Sequence, residues 1–380
     1  MSCRLNIADL PRDIIGADRG FNVGGDVLTT LADGRSLDSV WTELQDALKA
    51  WNDGRSAVAA LFTTNTTDSY DLLPLDGGRV DLEVASEFGV PVAGRVEPKY
   101  YAVGHDLKWY DFATRYTRKF LRDAKTPQIQ SQHIAAQEGD NRLIFNSIMA
   151  TLMTPSGGAF PARGTNPEGQ TIYSLYAGAA DDKPPTAPDG TTFAANHTHF
   201  LVSGGATVDS GDLDDVIAKV TEHGRGTKES GEQMVVLVHK QEGDKIRAFR
   251  VADGDRYDFI ATANEPAYLT DQTLVGERPP ATFNGLDVLG SYGNALIVEH
   301  TLAKAGYMVA VAAGGENPVA FRQHPIADNQ GFRLVQGPLA RYPLIESIYE
   351  RGFGLGIRRR DAAAVIQIKA SGTYTAPSWT

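Results

Sequence analysis

Two histidines one residue apart are the side chains of this sequence best placed for chemistry. His197 and His199 stand in a run that predicts a β-strand, where residues i and i+2 point to the same face. Two imidazoles on one face can share a metal ion, and a zinc or iron hydrolase would need a third and a fourth ligand. The carboxylates that follow closely are Asp209, Asp212, Asp214 and Asp215. Carboxylates also suit a helix N-terminus, so packing or hydrogen bonding remains the alternative role for the histidines.

The other histidines and the glycine-rich segment near the end match no catalytic motif. His239, His300 and His324 are spread along the chain, and neither a Gly-x-Ser-x-Gly elbow nor a Ser-x-x-Lys motif accompanies them. The glycines at 352, 354 and 356 lie between strand-like runs and are followed by arginines instead of a helix. This context excludes a dinucleotide-binding loop and favours a turn.

Residues 358–360 are all arginine and could contact phosphate. Side chains alternate along a strand, however, so the three cannot all face one ligand. We therefore expect ion pairs within the sheet or across a chain boundary, with Asp361 and Glu346 as partners. Arg322 has the same expected role.

The composition is that of an ordinary folded protein. The 380 residues are 42% hydrophobic and 22% charged, which favours one large mixed domain with insertions or two lobes that share a sheet. The formal net charge of −11 argues against tight DNA binding, since phosphate binding needs clustered Lys and Arg. Cys3 is the single cysteine, which excludes an internal disulfide and a cysteine-based zinc site.

The sequence predicts neither a membrane span nor a secretory signal. No run reaches the roughly 18 apolar residues of a membrane helix. Arg4, Asp9, Arg12 and Asp13 stand where a signal peptide needs an apolar core. We therefore expect a protein that is made and kept in the cytosol.

The first half of the chain is predicted to contain an extended arm, two helices and then a third, longer helix. Residues 1–35 are rich in Gly and Asp, and residues 37–51 have apolar spacing of three and four, with Ser36 as N-cap and Gly54 past the end. A second helical face is formed by Trp109, Phe112, Tyr116 and Phe120.

The longest predicted helix follows at once. Thr126 is the expected N-cap and Pro127 the first helical residue, and the pattern runs to residue 154, with Gly139 as a point of interruption.

Residues 70–104 predict a two-stranded hairpin, which must lie on another surface because an isolated hairpin is marginally stable in water. Residues 155–192 are rich in Pro and Gly and predict a loop that joins two lobes.

The second lobe is expected to start near Phe193. It contains a helix over residues 209–223, capped by Ser210 or Asp212. Its expected strands are residues 234–239, 295–300 and 307–312. Residues 331–380 predict further strands separated by tight turns.

The C-terminal sequence carries a family resemblance. GPLARYPLIESIYERGFGLGIRRRDAAAVIQI, with its TYTAP ending, resembles the C-terminus of major capsid proteins of tailed bacteriophages, which have the Hong Kong 97-type fold. Residues 196–205, then 298–300 with 305–308, and then 321–325 strengthen the match, because they occur in the order that such coat proteins use.

The resemblance implies an α+β fold with an N-terminal arm, an extended loop, a peripheral domain with a long spine helix, and an axial domain. The implied division is 1–62 for the arm with its amphipathic helix, 63–108 for the extended loop, 109–192 for the first part of the peripheral domain, 193–335 for the axial domain, and 336–380 for the C-terminal peripheral strands.

The implied function is structural. Copies of the chain would assemble into pentamers and hexamers of an icosahedral head that encloses double-stranded DNA, first in the host cytoplasm and finally in the virion. Scaffolding, portal and decoration proteins are the implied partners, without sequence-specific DNA binding, a membrane, a cofactor, a metal or a catalytic residue. Some family members join a loop lysine to an asparagine of a neighbour. Lys99 lies in the predicted hairpin, but residues 331–380 contain no asparagine, so we expect noncovalent stabilisation.

Two other functions remain open at this point. An encapsulin-like compartment shell would share the fold and differ in its cargo. A metal-dependent enzyme would use His197 and His199. Tail-tube and decoration proteins are a third class, but these are usually shorter and lack a spine helix.

Overall fold

Two β-sheets and one long helix organise the part of the chain that the computed structural model describes. That part comprises residues 28–54, 57–74, 84–85, 87, 89, 100–155, 164–179, 183–262, 278–336 and 346–379. Its helices are α1 (Leu37–Asp53), α2 (Ala57–Phe62), α3 (Arg118–Asp123), α4 (Thr126–Met153), α5 (Ser210–Thr221) and α6 (Lys240–Ile246), with 3₁₀ turns at Val251–Asp253 and Ala327–Asn329. None of these helices is both long and apolar enough to cross a membrane.

The strands differ widely in length, and the first five precede α5 along the chain. They are β1 (Thr63–Thr66), β2 (Tyr70–Pro74), β3 (Tyr100–Gly104), β4 (Lys108–Arg115) and β5 (Phe200–Val202). The strands that follow α5 are β6 (Gln233–Val238), β7 (Phe259–Ala261), β8 (Thr282–Phe283), β9 (Leu286–Tyr292), β10 (Ala295–Glu299), β11 (Tyr307–Ala313), β12 (Val319–Gln323), β13 (Phe332–Gln336), β14 (Glu346–Ile357) and β15 (Ala363–Gln367).

An eight-stranded sheet is buried on both faces. Its order is β5-β15-β11-β6-β10-β9-β7, and β8 pairs with β9. Val235 and Leu237 of β6 face the core that contains α4, whereas Val236 and Val238 face the core that contains α5. Burial on both faces explains why β6 reads as a continuous apolar run instead of an alternating one.

Strand β14 organises a five-stranded sheet. The order is β1-β12-β14-β13, and β4 pairs with the other edge of β14. The pairing with β4 runs without a break from Lys108↔Phe353 to Arg115↔Glu346. β12 and β13 pair with successive halves of β14, so this strand fixes the positions of three others.

The predicted boundary between the axial domain and the C-terminal peripheral strands, at residues 335 and 336, does not coincide with the division of the strands between the two sheets. β15 belongs to the eight-stranded sheet, whereas β12 and β13 belong to the five-stranded one. Both sheets pack on the second half of α4, where Ile148, Met149 and Leu152 are buried in one core with residues of both.

The helices predicted over residues 37–51, 126–154 and 209–223 are confirmed, with small changes at their caps. Ser36 accepts the Ser39 N–H at 3.0 Å, as predicted. α4 begins at Thr126 with Lys125 as its N-cap, and it continues through Gly139 without interruption. Asp209, instead of Ser210 or Asp212, caps α5.

Asp209 and Asp212 form a reciprocal capping box at the start of α5. The Asp209 carboxylate accepts the Asp212 N–H at 3.0 Å, and the Asp212 carboxylate accepts the Asp209 N–H at 3.0 Å. Two backbone N–H groups that the helix leaves unpaired are thereby satisfied.

The helical face predicted for Trp109, Phe112, Tyr116 and Phe120 is wrong. Trp109 and Phe112 lie in β4, and only Phe120 lies in a helix, the short α3. Aromatic spacing of three and four fits a helix, but pairing of eight consecutive residues with β14 outweighs this local preference.

The turn predicted at the glycines 352, 354 and 356 is also wrong, because all three lie inside β14. Alternate residues of a strand share a face, so the three glycines form a stripe along it. A Cβ atom on Gly352 would lie 2.9 Å from the Trp109 ring, and one on Gly356 would lie 2.6 Å from the Gly104 carbonyl oxygen. The glycines therefore permit the segment 104–109 to cross β14 in close contact.

Several predicted features lie outside the described residues. They are most of the arm 1–35, the hairpin beyond its base with Lys99, and residues 337–345 of the predicted C-terminal strands and turns. The described residues of 155–192 contain no helix or strand beyond isolated bridges, as the loop prediction requires.

We predict that Gly354→Ala strongly destabilises the chain. The added methyl group would overlap the Asp106 carbonyl group and lie 2.7 Å from the Leu107 nitrogen, and backbone atoms cannot move aside cheaply. Such overpacking should cost about 3 kcal/mol or more. Urea unfolding of unassembled subunits, or soluble yield if the variant misfolds, measures the effect.

Gly139→Ala is the matched control. It makes the same chemical change on α4, where the nearest heavy atom to the new Cβ is an Arg142 nitrogen at 3.9 Å. Replacement of a helical glycine should stabilise the subunit by about 0.5–1 kcal/mol. Equal effects of the two substitutions would contradict the role assigned to the glycine stripe.

Candidate functional site

Three buried histidines, not two, converge at one point of the structure. The Nε2 atoms of His197 and His199 are 3.1 Å apart, and the Nε2 atom of His223 lies 3.1 Å from the first and 3.0 Å from the second. The exposed fractions of the three residues are 9%, 0% and 7%. In the described part of the chain, this is the one group of three or more His, Cys, Asp or Glu residues arranged to hold a metal ion.

The backbone around β5 fixes the first two histidines. The His199 N–H donates to the Tyr176 carbonyl at 2.8 Å, and the His199 carbonyl accepts the Val365 N–H at 2.8 Å. His197 precedes β5 by three residues and His199 by one, so neither lies in the strand that the sequence predicted, although their Nε2 atoms do meet.

The end of α5 positions the third histidine. His223 follows the last helical residues, and Gly224 then takes a left-handed φ of +75° to end the helix. A Cβ atom at position 224 would lie 2.8 Å from a Pro188 side-chain carbon, so the helix end packs closely on the preceding loop. Glycine is the residue that fits both requirements.

One hydrogen bond fixes the tautomer of His199. Its Nδ1 atom lies 2.6 Å from the Ala363 carbonyl oxygen, which can only accept, so Nδ1 carries the proton. In the neutral ring Nε2 then presents a lone pair to the other two histidines. A ring held in this way has the orientation and tautomer of a metal ligand.

Aromatic side chains cover the cluster. The Phe193 ring stacks on His223 with a centroid distance of 4.3 Å and lies 4.6 Å from His197, and the Tyr176 ring lies 5.6 Å from His199. Burial lowers the pKa of all three imidazoles, so each is neutral near pH 7. Neutral imidazole is the form that binds a metal ion.

Charged side chains lie close to the cluster. The Glu222 carboxylate is 3.6 Å from His197 Nε2 and 3.0 Å from the Lys219 ammonium. Asp361 pairs with Arg225 at 3.1 Å. The carboxylates suggested from sequence as further ligands belong to α5 instead: Asp209 and Asp212 cap its start.

His223 is the cluster member that sequence reasoning missed as a ligand. The predicted helix 209–223 ended at this residue, but only the fold shows that its end meets β5. The remaining histidines lie elsewhere. His239 caps α6, His300 stacks on Phe145, and His324 accepts the Ile326 N–H.

The arginine run lies between β14 and β15 and not on a strand, and its three side chains contact three different segments. Arg358 pairs with Asp71 at 3.0 Å, and Arg359 pairs with Glu316. Arg360 is buried, donates to the Ser174 carbonyl at 2.7 Å, and covers the rings of Tyr173 and Tyr176. The predicted partners differ: Glu346 pairs with Arg115, and Asp361 with Arg225.

The base of the hairpin is tied to the body by charge. β2 and β3 pair over five residues, from Tyr70↔Gly104 to Pro74↔Tyr100. Asp71 lies 3.1 Å from His105 Nε2 and 3.0 Å from the Arg358 guanidinium. The hydrogen bond from His105 is the largest cause that lowers the pKa of Asp71, so this carboxylate stays ionised.

Arg322 strengthens the same junction. It is buried, donates to the His105 carbonyl at 2.9 Å, and forms a two-contact ion pair with Glu168 at 2.6 and 3.2 Å. The structural role predicted for Arg322 is thereby confirmed.

Large apolar side chains are exposed on the hairpin base and on β4. The exposed fractions are 61% for Leu72, 59% for Tyr100, 50% for Trp109 and 54% for Phe112. Between β4 and α4 lies a groove of about 460 Å³, lined in part by Phe112 and Tyr349. Exposed apolar groups of this size are typical of surfaces that contact another molecule.

A second buried polar group joins α1, α4 and β14. The Asp140 carboxylate accepts from Trp51 at 3.2 Å and from Arg351 at 2.6 Å. About two helical turns closer to the start of α4, His133 contacts the Tyr349 hydroxyl. Burial lowers the pKa of His133 to about 4.

Comparison with solved structures finds a close similarity to a bacteriophage chain. The chain is 34% identical to a chain of Mycobacterium phage Patience, with a TM-score of 0.70 and coverage of 95% of this chain and 96% of that one. The capsid of an empty GTA particle is 11% identical (TM-score 0.47, coverage 83% and 91%), and the mature capsid of bacteriophage PhiM1 is 10% identical (TM-score 0.47, coverage 84% and 88%). No protein-family profile and no curated protein matches the chain.

We predict that His133 makes the subunit less stable in mild acid. Its pKa is 6.5 when unperturbed and about 4 in the fold, so between these pH values the unfolded chain binds the proton more readily. Stability should therefore fall as pH falls from 6.5 toward 4, by about 3 kcal/mol from this residue. His133→Gln should remove that share of the pH dependence, measured by urea unfolding of unassembled subunits.

Tyr349→Phe is the control for this prediction. It removes the hydroxyl contact but keeps a buried, titrating imidazole, so it should shift stability without flattening its dependence on pH. If the stability of His133→Gln depends on pH as steeply as that of the wild type, the burial of His133 does not cause this pH dependence.

Proposed function

The chain belongs to the major capsid proteins of tailed bacteriophages, and on that premise we propose that it assembles into the pentamers and hexamers of an icosahedral head that encloses double-stranded DNA. The observation that carries the proposal is the 34% identity to the chain from Mycobacterium phage Patience over 95% of the length. The α+β fold expected from sequence is confirmed. The role that we propose for the chain is structural, and we assign no catalytic residue.

The exposed apolar residues support self-assembly. A two-stranded hairpin is marginally stable alone in water, and here Leu72 and Tyr100 of its base face outward. A neighbouring copy could cover these side chains together with Trp109 and Phe112 of β4. Stable interfaces of assemblies usually bury more than about 2,000 Å², so many modest contacts of this kind would hold a shell.

The domain division is part of the same proposal. We assign residues 1–62 to the arm, 63–108 to the extended loop, 109–192 and 336–380 to the peripheral domain, and 193–335 to the axial domain. α4 corresponds to the spine helix. The eight-stranded sheet with α5 and α6 forms the centre of the axial domain, with β15 added to it from the C-terminal segment.

The charge of the chain suits an enclosure for DNA. A net charge of −11 gives no basis for tight or sequence-specific binding. An acidic inner wall would repel the genome weakly within about 8–10 Å and leave it free to move during packaging. Scaffolding, portal and decoration proteins are the further partners we propose, with noncovalent contacts between subunits.

The alternatives differ in measurable ways. A compartment shell of the encapsulin type would share the fold and enclose protein cargo instead of DNA. A metal-dependent enzyme is favoured by the three converging imidazoles, but catalytic zinc needs an open position for substrate. Here His199 is fully buried next to Tyr176, and Phe193 covers His197 and His223. The covered cluster supports a structural role better than a catalytic one.

We predict that the purified chain forms closed hollow shells or sheets of hexamers, visible by electron microscopy. Particles isolated from infected cells should contain double-stranded DNA, whereas protein cargo would indicate the compartment alternative. A compact monomer at high concentration, with no assembled species under any condition that supports the phage relative, would overturn the proposal.

We predict that Leu72→Glu blocks assembly while the subunit stays folded. Leu72 is 61% exposed, so the isolated subunit should tolerate a charge, whereas a covered apolar interface would not. Light scattering and electron microscopy measure assembly, and circular dichroism checks the fold.

Val251→Glu is the matched control, because this valine is 53% exposed and lies in a 3₁₀ turn outside the hairpin and β4. It adds the same charge to the subunit. If both variants assemble as the wild type does, the hairpin base is not a subunit contact.

A further inference from the structure

We propose that His197, His199 and His223 bind one Zn²⁺ ion as a structural site that joins the end of α5 to the start of β5. The proposal concerns the cluster that these three side chains form and does not depend on the function of the assembled protein. It rests on the distances between their Nε2 atoms, on the orientation of their rings, and on the number of hydrogen bonds that three Nε2 atoms can form with one another.

The distances fit a zinc site. Ligand nitrogens at about 2.0–2.1 Å from a tetrahedral zinc ion lie about 3.3 Å from one another. The three Nε2 atoms are 3.0–3.1 Å apart, so an outward shift of a few tenths of an ångström would give this geometry.

The rings point the right way. Their centroids are 5.0–5.1 Å apart, whereas their Nε2 atoms are 3.0–3.1 Å apart. The imidazoles therefore radiate outward from a common centre and turn their Nε2 edges toward it. Three side chains that pack for burial alone have no reason to bring the same nitrogen to one point.

Hydrogen bonding among the three rings cannot explain the arrangement. Each Nε2 atom offers either one N–H or one lone pair, so three such atoms can form only one ordinary two-centre bond. The Glu222 carboxylate, 3.6 Å from His197, is too far to satisfy the remaining nitrogen. A buried polar atom without a partner is costly, whereas a single metal ion accepts all three lone pairs at once.

His199 provides an independent sign of a ligand. Its Nδ1–H donates to the Ala363 carbonyl, which leaves the Nε2 lone pair free and aimed at the centre. Metal-bound histidines commonly donate their second nitrogen to a backbone carbonyl in this way. The side chain is fully buried, so no solvent competes for that lone pair.

The fourth ligand would come from the side of Glu222. Its carboxylate is the nearest one to the cluster, and it follows directly on the last turn of α5, next to His223. It now pairs with Lys219 at 3.0 Å, so a water molecule held by Glu222 could also complete the shell. Closed four-coordinate sites are typical of structural zinc.

Such a site would cross-link parts of the chain that lack a covalent tie. It would join β5, α5 and, through Ala363, the start of β15. Cys3 is the single cysteine of the chain, so a disulfide within the subunit cannot supply this link. Imidazoles remain ligands in a reducing compartment, where a disulfide would not persist.

The experiment uses the full chain, purified without a polyhistidine tag, both as subunits and as assembled particles. Elemental analysis should find one zinc ion per chain. Removal of zinc by a chelator should lower the melting temperature by about 5 °C or more, and added Zn²⁺ should restore it. Co²⁺ in place of zinc should give the visible absorption of a tetrahedral cobalt complex.

His223→Gln should reduce the zinc content to background and abolish the response of the melting temperature to chelator. The matched control is His239→Asn, which removes a different imidazole and keeps an N-cap for α6. This control should retain one zinc ion per chain.

Two outcomes would overturn the proposal. One is wild-type protein that contains no zinc, takes up none when Zn²⁺ is added, and melts at the same temperature with and without chelator. The other is zinc that His239→Asn loses as fully as His223→Gln does, since this would indicate binding at surface histidines. The wild-type measurements decide the question even if His223→Gln fails to fold.

Discussion

The close crossing of residues 104–109 over strand β14 is the contact on which much of the fold depends. Gly352, Gly354 and Gly356 face the crossing segment, and a Cβ atom at any of them would overlap it. The same strand pairs with β4, β12 and β13, so it fixes most of the five-stranded sheet. β3 leads directly into the crossing segment, and the direction in which the hairpin leaves the body is therefore set at this place as well.

The distribution of apolar residues separates a well-packed body from exposed apolar side chains at the hairpin base. Both sheets pack on α4 in one core, and a second core beneath α5 covers the other face of the eight-stranded sheet. Buried ion pairs such as Arg322 with Glu168 tie the hairpin base to that body. Leu72 and Tyr100, only a few residues away, find no such cover within the described residues. A well-packed body with uncovered projections is the arrangement that a repeating assembly requires.

The sequence was most informative where structure is decided locally. α1 and α5 were predicted because their apolar spacing and their caps lie within a few residues of one another. The aromatic residues of β4 were misread, because their partner strand lies more than 200 residues away along the chain. The glycines of β14 fit either a turn or a close contact, and only the crossing segment decides between them. The spacing of His197 and His199 likewise indicated that the two could meet, although neither lies in the predicted strand, and His223 reaches them only through the packing of α5 on the sheet.

Charge limits how copies of this chain can associate. Each carries a net charge of −11, so two copies repel one another at low ionic strength. Several cations that could offset this are already engaged within the subunit: Arg322 with Glu168, Arg358 with Asp71, and Arg359 with Glu316. Attraction between subunits must then come mainly from apolar surface, such as the exposed side chains of the hairpin base and β4. Salt screens this repulsion. Salts such as sulfate or phosphate also strengthen the burial of apolar groups, so with these salts both effects favour association.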